Sequence, residues 1–348
     1  MHPTPGILSD DRLAVRRLAA LWALHESAVG GLLHAVRSPF TGLVVGGGAV
    51  LLIAMIAHLS QRPARAILQS LLIVLIVKSL ASPHAPPTAY LAVAFQGLLG
   101  ALLFGLLPGY RLAAALLGPL ALLESALQKL LTLTLLFGKP LWAAIDALAD
   151  QVLQQAGLLL PRQHIEASPW LIGAYLGIYL AAGLAAGWLA ARLPARVRAA
   201  LATLPPPVPD ATPPATPLRK PWYQQRRWLT LLSGLLLLAL AYGWLPAWRA
   251  RWEPLWLLMR TLGVVLLWFG VLMPLLGHLL RQVLQRQART RQAELTQTLA
   301  LLPDLRRLSR QAWRETAHLR GWRRWDAAIV RLLAYALAHT TPEDPAAP

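Results

Sequence analysis

Five polar side chains interrupt long apolar runs: Glu26, Lys78, Glu124, Gln128 and Lys129. A charged group in hydrocarbon costs roughly 2.5–3.5 kcal/mol on insertion scales, so such residues face a partner or a wet cavity. Glu124 and Gln128 are four residues apart and share a helix face. Lys129 is adjacent, and Thr132 and Thr134 add hydroxyls. With Lys78 and Gln96 they are candidates to line an outward-facing pocket. Ammonium and amide groups donate hydrogen bonds, so the ligand of such a pocket is a small polar or anionic molecule. The competing arrangement has both lysines snorkelling to the membrane interface, with Glu124 paired to one of them.

No catalytic or metal-binding set stands out elsewhere. Val45-Gly46-Gly47-Gly48 lacks the Gly-Lys-Ser/Thr ending of a phosphate loop, so helix packing is its expected role. His25-Glu26 followed by His34 misses the His-Glu-x-x-His spacing of a zinc protease. His58, His84 and His164 are scattered, and no metal site is expected. The chain has no cysteine, which excludes disulfides, thiolate metal sites and cysteine nucleophiles. No Ser–His–Asp set can be named. The expectation is a chain that is not an enzyme and carries no cofactor.

The elements that position these residues are hydrophobic helices. The 348 residues are 56% hydrophobic and 14% charged, against about 25% charged in a soluble domain. Leu- and Ala-rich runs of about 20 residues cross about 30 Å of hydrocarbon. Spans are expected at about 13–36, 41–58, 65–81, 88–107, 110–137 and 170–191, then at 228–245 and 255–280. The first could instead lie on the membrane surface, because it carries His25, Glu26 and His34. Gly118-Pro119 is a candidate kink in the long fifth span. Residues 139–160 read as an amphipathic helix that could cover the pocket. The fold class is therefore all-α, a polytopic bundle of about eight transmembrane helices, six plus two, with amphipathic helices outside.

The layout follows: a loose tail (1–12), a six-helix membrane module (13–193), a proline-rich linker (194–224), a two-helix hairpin (225–281) and a basic helical tail (282–348). Net charge is +18. With the N-terminus inside the cell, 25 of the 33 lysines and arginines fall on the inner side, five on the outer side and three within spans. That split supports both termini inside the inner membrane, and it assigns the positive charge to topology rather than to nucleic acid. The arginines of the tail interleave with Trp313, Trp322 and Trp325 on amphipathic helices, a pattern suited to an anionic leaflet or to a docked partner.

Small residues recur every four positions on the first helix: Ala19, Ala23, Ser27, Gly31 and Ala35. Gly173/Gly177 and Gly183/Gly187 form two G-x-x-x-G pairs on the sixth span. Both patterns let another helix approach closely. Over residues 13–192 the six spans, the small-residue stripe and the outward pocket resemble the substrate-binding membrane component of an energy-coupling-factor transporter. The resemblance implies uptake of a vitamin or similar micronutrient. It also implies contact of the stripe with a transmembrane coupling subunit, and import powered by ABC-type ATPases. Ala288-Arg289-Thr290 is similar to the short arginine motifs by which coupling subunits dock those ATPases, although most coupling-subunit spans are missing. The alternative is a non-transporting membrane scaffold whose basic tail docks a partner or the leaflet.

Overall fold

The computed structural model describes residues 11–35, 40–82, 85–157, 164–204, 259 and 262–338. Every regular element among them is helical. In order they are α1 (Asp11–Leu24), a π-turn (His25–Val29), α2 (Gly30–Ala35), α3 (Thr41–His58), α4 (Pro63–Ala81), α5 (Pro87–Leu106), α6 (Tyr110–Phe137), α7 (Lys139–Gln155) and α8 (Ala167–Leu201). A second π-turn (Leu267–Leu272), α9 (Met273–Thr290), α10 (Gln292–Glu315) and α11 (Gly321–Ala338) follow. The span expected at 228–245 and most of the proline-rich linker lie outside the described residues.

Six of the helices are long and apolar enough to cross a membrane: α3, α4, α5, α6, α8 and Leu262–Thr290. The chain is therefore an integral membrane protein, all-α over its described residues. Their outward faces carry exposed leucines, such as Leu98, Leu102 and Leu106 on α5 and Leu127, Leu131 and Leu135 on α6. Such rows are stable against acyl chains and unfavourable against water. The first helix falls outside that set, yet its Leu18, Ala20 and Trp22 are fully buried among the other helices.

The chain divides into two compact units, Met1–Pro206 with Leu275–Pro348, and Pro207–Pro274. In the first unit, α3 and α6 pack centrally and α6 lies along α8. Ile53, Met55, Ile56, Leu117 and Leu122 form the heart of this core. Helices α10 and α11 pair with each other and pack on α1, and α11 also packs on α8. Arg17 of α1 donates to the Ala336 carbonyl at 3.3 Å, and Arg196 of α8 forks onto Asp326 at 2.6 and 2.5 Å. The beginning of α1, the end of α8 and the tail helices therefore share one end of the bundle.

Two prolines show how the core is fitted together. Pro119 lies inside α6 and supplies no N–H for the carbonyl of Ala115, four residues back. That carbonyl lies against Gly187 of α8, where a Cβ would stand 2.6 Å from it. Gly183 meets Pro119 and Gly118 equally closely, so α6 and α8 touch backbone to backbone. Pro194 likewise leaves the Ala190 carbonyl without its helical donor, and the Tyr110 hydroxyl donates to it at 2.9 Å. With that bond restored, α8 continues through Pro194 to Leu201, beyond the helix end expected near residue 191.

Candidate functional site

Glu26 lies in the π-turn that joins α1 to α2. A π-turn widens the helix by one residue and often marks a functional position. Here it accompanies an inward turn of the carboxylate. Glu26 accepts from Lys78 Nζ of α4 at 2.6 Å, and the two side chains are 0% and 3% exposed. The pair is thus enclosed by the apolar core and not placed at an interface. Only one carboxylate oxygen is used. Oε1 of Glu26 is buried with no hydrogen-bond partner.

The preceding residue, His25, bonds the Val45 carbonyl of α3 through Nε2 at 3.0 Å. Its ring fills the space that a side chain at Gly48 would need; a Cβ there would stand 2.3 Å from Nε2. Gly46, half a turn away, makes room for Gln96 of α5, whose Nε2 would lie 3.1 Å from a Cβ at that position. The Gly46-Gly47-Gly48 run thus admits two polar side chains to the core, while Gly47 meets nothing within 4 Å. Gln96 is 3% exposed, and its Oε1 has no partner. Trp22 Nε1, one turn before Glu26, and Ser27 Oγ, on the residue after it, are buried and unpartnered as well. Four buried polar atoms with spare capacity therefore lie on α1, the π-turn and α5, the elements that pack against α4 and its Lys78. Three of them accept hydrogen bonds, and the indole N–H and the Ser27 hydroxyl donate.

The five residues proposed to line one pocket are distributed differently. Lys78 and Gln96 are in the core. Gln128 is half-buried and donates to the Thr88 carbonyl at 3.1 Å. Glu124 is half-buried on α6, with Oε2 unpartnered. Lys129 is exposed. The hydroxyls of Thr132 and Thr134 bond carbonyls of their own helix. Lys78 takes Glu26 as its carboxylate, a residue conspicuous in sequence as a charge in an apolar run but 52 positions away. His25 carried no metal-site pattern, and only its direct neighbour Glu26 marked its position.

The small-residue patterns also separate. Ala19 and Ala23 are buried inside the unit, and Gly31 lies near the Ser82 hydroxyl just past α4. The side chain of Ala35 lies outside the described residues. Gly183 and Gly187 make the tight contact with α6, whereas Gly173 and Gly177 have open space where a side chain would stand.

Helix α7 is fastened over the far end of α8. Asp146 accepts from the backbone N–H of Ser168 at 2.6 Å and from its hydroxyl at 3.0 Å. Asp150 accepts from the Ile165 N–H at 2.8 Å and pairs with His164 at 2.9 Å. The Ile165 N–H first, and His164 second, hold the Asp150 carboxyl below its ordinary range. On the α6 side, Trp142 Nε1 donates to the Thr134 hydroxyl at 3.3 Å. No group of three or more metal-ligating side chains occurs among the described residues.

No protein-family model matches the chain, and neither a characterised protein nor a solved structure shows significant similarity to it.

Proposed function

We propose that this membrane protein is a solute-binding component of an uptake system. The small polar solute binds at the Glu26–Lys78 centre, in contact with Ser27 and Gln96. The observation that supports this reading is a fully buried ion pair whose Glu26 keeps one oxygen without a partner, beside an unpartnered Ser27 hydroxyl and on helices that bury two further unpartnered polar atoms. Buried ion pairs are often replaced by apolar residues without loss of stability, and charges inside spans mark ligand and ion paths.

In this reading the termini and tail helices face the cytoplasm of the inner membrane, as the arginine distribution favours. The α7 cover then lies on the outer side, and the solute enters from there. Energy-coupled micronutrient uptake remains the fuller proposal, with a coupling subunit and ATPases as partners. Because Ala19 and Ala23 are used within the chain, a coupling subunit docks on a different surface.

The test is purification from membranes in mild detergent, followed by solvent extraction and mass spectrometry. Wild type is expected to carry a small polar molecule in near-stoichiometric amount, and Glu26→Gln and Gln96→Leu to carry at least tenfold less. Protein free of any such molecule, but bound to a stoichiometric protein partner, would replace this reading with the membrane scaffold.

A further inference from the structure

We propose that the end of α8 and the start of α11 form a binding site for the headgroup of an anionic phospholipid. A pocket of about 280 Å³ lies there, lined by Trp188, Leu189, Arg192, Arg196, Trp322 and Asp326. Its depth in the membrane follows from α8. Trp170 and Trp188 are both exposed, and Leu171, Ile178, Leu180 and Leu184 between them are exposed as well. Eighteen residues of helix rise about 27 Å, close to the thickness of the hydrocarbon layer. Trp188 therefore sits at one hydrocarbon boundary, where tryptophan is favoured, and Arg192, one turn further, lies at headgroup depth.

The charges in the pocket are unequally used. Arg196 is committed to Asp326 through two hydrogen bonds, so those two groups neutralise each other. The Arg192 guanidinium lies 4.0 Å over the Trp188 ring and is exposed. Among the described residues no carboxylate pairs with it. It presents a flat donor fork, held in orientation by the indole, to whatever anion reaches the pocket.

The opposite wall argues for a lipid and not a soluble anion. Trp322 is 65% exposed and Trp325 57% exposed. Two large indoles bared to water at the start of one helix are unfavourable, but the same indoles at the membrane interface are favoured. Trp325, on the same helix as Trp322, lines a second pocket with Arg310 and Trp313 of α10, so basic and aromatic side chains recur on this pair of helices. A headgroup phosphate on Arg192, with its acyl chains running back along Leu184 and Leu189 of α8, satisfies both the charge and the apolar surface. This site is independent of the solute reading above.

Native mass spectrometry of the full chain released from nanodiscs of equal phosphatidylcholine and phosphatidylglycerol tests the proposal. Wild type is expected to retain phosphatidylglycerol preferentially. Arg192→Gln is expected to lose about fivefold of that retention, as one surface arginine contributes in such sites, and Arg192→Lys to keep part of it. Trp322→Ala, which removes the opposite wall without touching the charge, is expected to lower retention too. Melting temperatures in phosphatidylcholine-only nanodiscs should match wild type for all three variants. Equal retention of both lipids by wild type overturns the proposal, as does unchanged phosphatidylglycerol retention in Arg192→Gln and Trp322→Ala.

Discussion

Glu26 and Lys78 depend on each other in a way that single substitutions expose. Lys78→Met leaves the Glu26 carboxylate buried without its ammonium, and Glu26→Leu leaves the ammonium without its carboxylate. Removing one partner of a buried pair costs about 3–5 kcal/mol, whereas replacing both by apolar residues is often neutral. Each single variant should therefore unfold well below wild type in detergent, and Glu26→Leu/Lys78→Met should recover most of the loss. Singles no less stable than the double variant would show that the pair is not shielded from water. Gly48→Leu should act on the neighbouring contact, because its side chain needs the volume of the His25 ring. Parts of this centre could be read locally. Lys78 and Glu26 stood out as charges inside apolar runs, and Gln96 as an amide inside one. The Glu26–Lys78 pairing could not be read, because it joins the π-turn to α4 across 52 positions and no local period encodes that register.

At the scale of the element, the two G-x-x-x-G pairs of α8 make opposite predictions although their sequences look alike. Gly183→Val and Gly187→Val push a branched side chain into the backbone of α6. Overpacking of this kind costs about 1–3 kcal/mol. Gly173→Ala and Gly177→Ala enter open space and should be neutral, or stabilising by up to about 1 kcal/mol through helix propensity. Thermal unfolding of the four variants checks the contrast. Spacing alone marked both pairs as competent for close packing. Which pair faces α6 is decided by the freed carbonyl at Ala115, a consequence of Pro119 in another helix. Tyr110→Phe should cost about 1–3 kcal/mol, since it strips the donor from a second proline-freed carbonyl. That bond also explains why the sixth span outlasts the helix end expected from its hydropathy.

The α7 cover makes a prediction about pH. Asp150 is held as a carboxylate by the Ile165 N–H and His164. A depressed carboxyl contributes stability that is complete above the ordinary carboxylate range and is lost as pH falls through the depressed value. Protection of the Ile165 amide, the slowing of its exchange relative to that of an unstructured amide at the same pH, should accordingly be high at neutral pH and fall below about pH 4. Asp150→Asn should show low protection at both. A cover equally protected at both pH values would remove the carboxylate from this role. On the opposite end of the bundle, burial and a hydrogen bond to Glu315 push the Tyr335 hydroxyl up to about 12. The α10–α11 junction should therefore withstand alkaline conditions in which an ordinary tyrosine ionises.

At the scale of the whole molecule, the account requires the tail helices and the start of α1 to share a face. A chain without cysteine makes that testable with single introduced thiols. Arg12→Cys and Arg320→Cys should react with a membrane-impermeant maleimide from the same side, and Glu166→Cys from the other. The membrane class and the positions of α3 to α6 and of α8 follow from apolar runs of spanning length, and that of α7 from its amphipathic pattern. The docking of α10 and α11 onto α1 and α8 does not, because an amphipathic face has the same pattern whether it covers lipid or another helix. Arg17 and Arg196, read from sequence as topological charge, turn out to anchor those helices.

The most direct test of the account is an experimental density map of the protein purified in its native-membrane lipid, inspected around Glu26 and Gln96. A bound solute would give non-protein density within hydrogen-bond distance of Glu26 Oε1 and Gln96 Oε1, absent from the Glu26→Gln variant. Side chains closed directly onto both oxygens, with no intervening density in wild type, would contradict it.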